Sequence, residues 1–123
     1  MSRETIKSIE RLLSQEFKLT PMIEQYYQIK QKNPDILLFF RMGDFYELFF
    51  NDAVEVSKLL SITLTHRGKI GNEPIPMAGI PHHAANSYLD RLTSLGLKVA
   101  ICEQTEDPKN AVGIVKRDIT QIV

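Results

Sequence analysis

Residues 36–50 read ILLFFRMGDFYELFF, and this stretch decides the fold class. The five apolar residues at 36–40 follow a proline and predict a short strand that is buried on both faces. Gly43 and Asp44 interrupt the apolar run and predict a tight turn. Residues 45–50 are again strand-like in composition. Because the link between the two strands is so short, they are expected to pair antiparallel.

Two helices are predicted before this hairpin. Apolar residues recur at a spacing of three to four over residues 4–17, which is typical of an amphipathic helix. Thr20 suits the N-cap of a second helix, with Pro21 at its first position and Glu24 in its first turn. This helix should run to about Lys32, before the next proline.

The rest of the chain alternates helices and strands. We expect a third helix capped by Asn51 or Asp52, and a fourth that begins at Pro81 and ends at Gly96. Strands are predicted at 62–65, 98–104 and 114–123, with loops at 66–79 and 106–113. This order predicts an α/β fold with a mixed β-sheet flanked by helices and an extra N-terminal helix.

Composition excludes several classes of protein. Fifteen basic and fifteen acidic side chains give a net charge of zero, so the chain does not bind nucleic acid by bulk charge. A single cysteine excludes an internal disulfide and a cysteine-cluster zinc site, and favours a reducing cytoplasm. No apolar run approaches the ~18 residues of a membrane span, and residues 1–7 lack the apolar core of a signal peptide.

The strand at residues 45–50 contains one conflict with a purely structural role. Alternation places Phe45, Glu47 and Phe49 on one face, and an unpaired carboxylate buried between two phenylalanines is costly. In one interpretation, Phe45 and Glu47 lie near the exposed start of the strand and only Phe49 reaches the core. In the other, Phe45 and Glu47 form a solvent-facing pair that contacts a ligand.

Several sequence blocks, in order, resemble the N-terminal mismatch-recognition domain of the MutS family of bacterial DNA mismatch repair proteins. They are RMGDFYELF at 41–49, TPM at 20–22, LTHRG at 64–68, PIPMAGIP at 74–81, VAICEQ at 99–104 and DP at 107–108. The resemblance implies a domain at residues 19–123, preceded by a variable helical leader at residues 1–18. Because residues 114–123 alternate like a strand and stop without a turn, we expect a fragment of a longer protein.

The resemblance also implies site residues. In the family, the Phe of a Phe-x-Glu motif stacks on a mispaired or unpaired base from the minor groove and the Glu hydrogen-bonds that base, which assigns these roles to Phe45 and Glu47. Weaker DNA contacts are implied for Met42, Arg67, Pro76, Met77, Lys116 and Arg117. Each has a structural alternative: a core methionine at 42, a surface arginine at 67, a proline-shaped turn at 76–77 and a solvated strand edge at 116–117.

Partners and cofactors follow from the same resemblance. The implied ligand is mismatched double-stranded DNA in the bacterial cytoplasm, with nucleoid association. Full-length relatives are homodimeric ATPases that use ATP and Mg²⁺ and recruit downstream repair factors. This chain has no G-x-x-x-x-G-K-[ST] phosphate loop, so we expect a binding module that is not an enzyme, holds no cofactor or metal, and is monomeric when isolated.

Two other functions compete with this one. The first is a metal-dependent nuclease, whose acidic core could be imitated by Asp35, Asp44, Glu47, and Glu55 with Lys58. However, residues 55 and 58 fall on a predicted helix, whereas such a core needs them on a strand. An exposed phenylalanine on a neutral chain also fits a protein-interaction module. Adjacent histidines at 82 and 83 point in different directions and predict no metal site, and Cys102 is expected in the core.

Overall fold

The hairpin predicted around Gly43 and Asp44 lies at the centre of the sheet. The computed structural model of the chain describes residues 3–123. Strand β1 (Leu37–Met42) pairs antiparallel with β2 (Phe45–Phe49), and Met42 lies directly opposite Phe45. Gly43 has a φ of 59°, a conformation that glycine adopts without steric cost. The predicted turn and antiparallel pair are therefore confirmed.

The sheet is mixed, as expected. In the described part of the chain it has six strands in the order β3-β4-β2-β1-β5-β6. The β1–β5 pair is parallel and the other pairs are antiparallel. The remaining strands are β3 (Thr65–Ile70), β4 (Glu73–Pro81), β5 (Val99–Gln104) and β6 (Arg117–Ile122).

Helices cover both faces of the sheet and confirm the α/β class. One core cluster joins the sheet to the first two helices, and the other joins its opposite face mainly to the last two. Within residues 3–123, no helix is long and apolar enough to cross a membrane. The helices are α1 (Arg3–Ser14), α2 (Pro21–Lys32), α3 (Phe50–Leu60) and α4 (Ala85–Ser94).

The predicted strand at 62–65 and loop at 66–79 are wrong. Strands β3 and β4 form a hairpin there, and its turn contains Gly71 with a φ of 61°. Two prolines favoured a loop because proline cannot donate to a strand ladder. However, Pro74 and Pro76 pair only with β3, because β2 ends opposite Met77. The prolines therefore lie where β4 has a neighbour on one side only.

Other element boundaries also differ from the prediction. The N-cap of α2 is Thr20 as expected, since its Oγ1 accepts a hydrogen bond from the Ile23 N–H at 3.3 Å. The third helix begins at Phe50, and neither Asn51 nor Asp52 caps it. Pro81 ends β4 instead of starting a helix, because a 3₁₀ turn at His82–Ala84 comes before α4. The last strand begins at Arg117, not at residue 114.

An ion pair between α2 and α3 is completely buried. Lys30 Nζ lies 2.7 Å from Asp52 Oδ2, and both side chains are 0% exposed. The same ammonium group donates to the Ile36 carbonyl at 2.6 Å. The Asp52 N–H donates to Thr5 Oγ1 at 2.9 Å. Asp52 therefore serves as the counterion of a core lysine, a role that helical periodicity does not reveal.

Helix α1 packs on the domain although it belongs to the predicted leader at residues 1–18. Ile9 and Leu12 are buried in the core cluster that contains α2, and Arg11 forms an ion pair with Glu73 of β4 at 3.3 Å. A side chain at Gly71 would lie 2.5 Å from Phe17 Cε1, so the leader also lies against the β3–β4 turn. Met1 and Ser2 lie outside the described residues. The boundary at residue 18 stays a prediction.

Replacing Ser61 with glycine is expected to stabilise the domain by about 1 kcal/mol. Ser61 follows α3 with a φ of 55°, a left-handed conformation in which a Cβ atom is unfavourable. Its N–H donates to the Ser57 carbonyl, which glycine would preserve. Urea unfolding measures the gain. The control is Ser87→Gly inside α4, which should destabilise, and a loss in both variants would contradict the prediction.

Candidate nucleic-acid interface

Phe45 is an exposed aromatic residue on β2, a strand that is hydrogen-bonded to a neighbouring strand on each side. It is the first residue of β2, and it lies opposite Met42 of β1 and Pro81 of β4. The side chain is nevertheless 45% exposed, whereas Leu48 and Phe49 of the same strand are 0% exposed. Leu48 and Phe49 thus belong to the two core clusters. Phe45 is an aromatic ring presented to solvent on a fixed backbone.

Strand register brings Met42 and Met77 to the same face as Phe45. Residues directly opposite in a sheet share a face, as do residues two apart along a strand. Gly79 lies between the two side chains, since a Cβ atom built there would lie 3.6 Å from Phe45 Cδ1 and 3.8 Å from Met77 Sδ. Both methionines are half-buried against the core cluster of α1 and α2. They form a flexible apolar base around the aromatic ring.

Glu47 shares this face but is not presented to solvent. The residue is 6% exposed, so the expectation of a solvent-facing Phe-x-Glu pair is wrong for Glu47 and holds only for Phe45. The alternative, with both residues near an exposed strand start, also fails for Glu47. Glu47 lies opposite Phe40 of β1 and Gly79 of β4, and therefore inside the sheet rather than at its edge.

Two arginines compensate the buried Glu47 carboxylate. Arg67 Nε lies 3.1 Å from Glu47 Oε1, and the Arg67 side chain is 42% exposed. That oxygen has no aligned hydrogen-bond donor among the described residues, so the contact is an ion pair with loose geometry. Burial raises the pKa of Glu47, while the charges of Arg67 and Arg117 oppose that rise. The carboxylate is therefore easier to protonate than an exposed glutamate.

Arg67, which contacts Glu47, lies in a β-bulge of β3. The register between β3 and β4 shifts between His66 and Lys69, and Arg67 lies inside this irregular segment. Bulges re-aim side chains, which lets an edge-strand residue reach across β4 to β2. Arg67 is therefore an exposed arginine, as the surface alternative expects, that also pairs with a buried carboxylate. A phosphate contact by Arg67 stays a prediction.

Arg117 contacts the protein through most of its guanidinium group. It donates to the Arg41 carbonyl at 2.6 Å, to Gln25 Oε1 at 2.8 Å and to the Val115 carbonyl at 3.2 Å. Its Cζ lies 4.7 Å from the centre of the Phe40 ring. The guanidinium also lies 3.3 Å from Met42 Sδ. Arg117 is therefore half-buried instead of part of a solvated strand edge, and it fixes β6 against β1 and α2.

The remaining predicted contact residues are Lys116 and Pro76. Lys116 is exposed, with its N–H donating to Glu106 Oε1 at 3.1 Å, and Pro76 is half-buried in β4 opposite His66. DNA contacts by these two residues stay predictions. The structure thus gathers five of the eight predicted residues around one end of a sheet face: Phe45, Glu47, Met42, Met77 and Arg67, with Arg117 supporting Met42.

Sequence reasoning missed a polar cluster on the opposite face of β2. The Tyr46 hydroxyl donates to Glu103 Oε1, and Arg41 NH1 lies 3.3 Å from Glu103 Oε2. Burial and the Glu103 carboxylate raise the pKa of Tyr46 to about 12. The Arg41 Nε also donates to the Gly43 carbonyl at 2.6 Å. This cluster therefore fixes the turn that precedes Phe45.

The structure gives no support to a metal-dependent nuclease. Among residues 3–123, no group of three or more His, Cys, Asp or Glu side chains could hold a metal ion. Glu55 and Lys58 lie on α3, while Asp44 lies in the β1–β2 turn. The ring of His82 packs 5.5 Å from that of Tyr46, centroid to centroid. Cys102 is fully buried, as expected, and burial raises the pKa of its thiol to about 12.

Comparison with known proteins agrees with this arrangement. A family model described as MutS domain I matches residues 20–123. The chain belongs to the MutS domain I family. Domain I is thus the part of the chain that holds the whole sheet, and α1 lies before the matched region.

Curated relatives of this domain I carry the name DNA mismatch repair protein MutS. The protein of Lactococcus lactis subsp. cremoris (strain MG1363) is 59% identical over 106 residues, which cover 86% of this chain and 13% of that protein. The protein of Lactobacillus delbrueckii subsp. bulgaricus (strain ATCC BAA-365 / Lb-18) is 60% identical over 104 residues, 85% of this chain and 12% of that protein. The chain therefore spans a small part of the relatives that it matches.

Proposed function

We propose that this domain I recognises mismatched DNA for a longer MutS protein, with Phe45 as an aromatic wedge and Glu47 as a hydrogen-bonding partner of the wedged base. The observation that carries the proposal is the 45% exposure of Phe45 on a strand paired on both sides. A ring on a fixed backbone loses little conformational freedom on binding, so more of its stacking energy remains for affinity.

The physics of a wedge favours mismatches. Apolar side chains inserted at a base step kink the duplex by roughly 20–90° and cost a few kcal/mol of unstacking. A mispaired base is already poorly stacked, so insertion there costs less than in matched duplex. Stacking between a base and an aromatic ring returns ~1–3 kcal/mol for any base. Phe45 would therefore test how easily DNA deforms, largely independently of sequence.

Glu47 would add to the discrimination between mismatched and matched duplex that the Phe45 wedge provides. A carboxylate can accept a hydrogen bond from the imino N–H of a displaced base, and a protonated carboxyl can donate to a purine ring nitrogen. The burial that raises the pKa of Glu47 supports the second form. On matched duplex, neither bond is available, and the negative charge is repelled by the phosphates. Glu47 would therefore weaken binding where no mismatch is present.

The remaining activities belong to the longer protein in this proposal. ATP hydrolysis with Mg²⁺, dimerisation and recruitment of repair factors would reside outside the chain, which contains no phosphate-binding loop motif. Within domain I, the proposed activity is binding without catalysis. The ligand is mismatched double-stranded DNA in the bacterial cytoplasm.

The test is a comparison of dissociation constants at one salt concentration for three duplexes. The full-length protein should bind a G·T duplex and a single-base-bulge duplex more tightly than the matched duplex. Equal affinity for all three would overturn the proposed function. Cleavage of mismatched duplex that requires Mg²⁺ and is lost in Asp44→Ala would favour the nuclease instead.

The isolated 123-residue chain should bind DNA weakly, because nonspecific affinity arises from phosphate neutralisation and its net charge is zero. In the full-length protein, other domains would hold the duplex and raise its local concentration at Phe45. Fluorescence anisotropy at physiological salt measures both. Submicromolar mismatch binding by the isolated chain would contradict this prediction.

Glu47→Ala and Glu47→Gln should narrow the ratio of mismatched to matched affinity. Matched duplex should bind more tightly because the repelling charge is gone. Mismatched duplex loses a hydrogen bond worth ~1 kcal/mol if neutral and ~1.5–3 kcal/mol if charge-assisted, but also loses the repulsion. Comparing the two variants isolates the bond, since Gln keeps a donor and an acceptor. Equal losses on both duplexes would make Glu47 a structural residue.

A further inference from the structure

The DNA-free structure places Glu47 where it cannot yet meet a base. The residue is 6% exposed, while Phe45, two positions earlier on the same face, is 45% exposed. Arg67 Nε lies 3.1 Å from the Glu47 carboxylate. For Glu47 to bond a wedged base, this ion pair must open or rearrange. The two arginines near Glu47 differ in how easily they can do so.

Arg117 is held in place, whereas Arg67 is not. Arg117 donates to two backbone carbonyls and to Gln25, and it stacks on the Phe40 ring. Arg67 is 42% exposed on an edge strand, at a bulge, and its contact with Glu47 is loosely aligned. Because the Arg67 end of the ion pair is partly exposed and loosely aligned, its guanidinium can exchange Glu47 for another anion more easily than Arg117 can leave its partners. Arg67 is therefore the side chain that can leave Glu47.

We propose that Arg67 is a specificity-determining positioning residue, which holds Glu47 in DNA-free protein and exchanges it for a DNA phosphate when Glu47 finds a mispaired base. This inference rests on the proposed function, since it requires Glu47 to contact the base. A phosphate suits Arg67 because the planar guanidinium can bond it bidentately.

The exchange is favourable only at a mismatch. On matched duplex, a phosphate that takes Arg67 would leave the buried carboxylate unpaired, which is costly. Arg67 then stays with Glu47 and contributes no phosphate contact. At a mismatch, the base replaces Arg67 as the partner of Glu47, and the guanidinium becomes free for the backbone. One arginine thus links backbone binding to base recognition.

Salt dependence gives a signature that a plain phosphate contact lacks. Each phosphate contact on duplex DNA adds about 0.9 to the slope of log affinity against log salt concentration. The full-length protein should therefore show a mismatch slope steeper than its matched-duplex slope by about 0.9. Arg67→Ala should make the two slopes equal, and Arg67→Lys should keep most of the difference. Lys69→Ala, an exposed cation on the same strand, should leave the difference unchanged.

A double-mutant cycle on matched duplex tests the same coupling. Glu47→Gln should steepen the matched-duplex slope by about 0.9, because Arg67 is then free to bind a phosphate. The same substitution in an Arg67→Ala background should leave that slope unchanged. If Arg67→Ala reduces both slopes equally with Glu47 present, Arg67 is an ordinary phosphate contact and the inference is overturned.

A DNA-free measurement separates this inference from the proposed function. In the 123-residue chain, the carboxyl carbon of Glu47 can be titrated by NMR, and Arg67→Ala should raise its pKa, because the Arg67 charge opposes the effect of burial. An unchanged pKa would mean that the pair is absent in solution and would overturn the inference. Loss of mismatch preference in the parent protein would overturn the proposed function instead, whatever the titration shows.

Discussion

Phe45→Ala is expected to abolish the preference of the full-length protein for mismatched over matched duplex. The substitution removes base–aromatic stacking worth ~1–3 kcal/mol, or roughly a 5- to 150-fold change in mismatch affinity. Matched duplex gains nothing from the wedge, so its affinity should change little. Dissociation constants for a G·T and a matched duplex at fixed salt measure the effect. A preference that survives in Phe45→Ala would remove Phe45 from the site.

The matched control for this variant is Phe49→Ala, on the same strand and the same face. Phe49 is 0% exposed, and its ring packs against Tyr26 and Phe40. Its removal should cost about 3–5 kcal/mol of unfolding free energy. Phe45→Ala makes no core cavity and should cost far less. Chemical denaturation of the 123-residue chain measures both, and a comparable loss in the two variants would place Phe45 in the core.

Asp52→Asn is expected to destabilise the domain by about 3–5 kcal/mol at neutral pH, because it removes the carboxylate that pairs with the buried Lys30 ammonium. The pair lies at 2.7 Å with both side chains 0% exposed. Burial lowers the pKa of Lys30 and the Asp52 charge opposes that lowering, so the pKa should fall further in the variant. Denaturation midpoints at several pH values measure the loss.

The pH dependence of this variant has a definite sign. A lysine whose pKa is lower in the folded state binds fewer protons there than in the unfolded chain. Stability therefore rises with pH until the unfolded-state value of about 10.4 is passed. Asp52→Asn should regain stability between neutral pH and about pH 10. The control is Lys30→Met with Asp52→Asn, which should be more stable than the single variant and should lack this gain in stability with rising pH. Equal pH profiles would contradict the argument.

The sequence predicted those elements whose signals are local. The apolar run at 36–40, the Gly43 turn and the Thr20 cap depend on neighbouring residues, and all three occur in the structure. The β3–β4 hairpin was missed because the effect of a proline depends on its neighbours in the sheet. Pro74 and Pro76 are compatible with a strand there only because β2 ends opposite Met77. The sequence around a proline does not predict where the neighbouring strand ends.

The family resemblance supplied the candidate site residues, but the sequence did not predict their geometry. The Phe-x-Glu motif identified Phe45 and Glu47, yet strand alternation alone could not show that one is exposed and the other buried. Glu47 is buried because β1 and β4 both flank it, and its counterion Arg67 lies 20 positions further along the chain at a bulge. The Lys30–Asp52 pair was missed for the same reason, because long-range ion pairs leave no periodic signal.

The parallel pairing of β1 with β5 matters during protein synthesis. Val99, the partner of Leu37, follows it by 62 residues, and the strands between them do not fill that side of β1. At a translation rate of ~5–20 residues per second, the apolar strand at the centre of the future sheet keeps one open edge for roughly 3–12 s. Open apolar edges are templates for pairing with other chains. The risk of aggregation therefore arises during synthesis and depends on how quickly residues 99–102 are made. In the folded domain this edge of β1 is covered by β5.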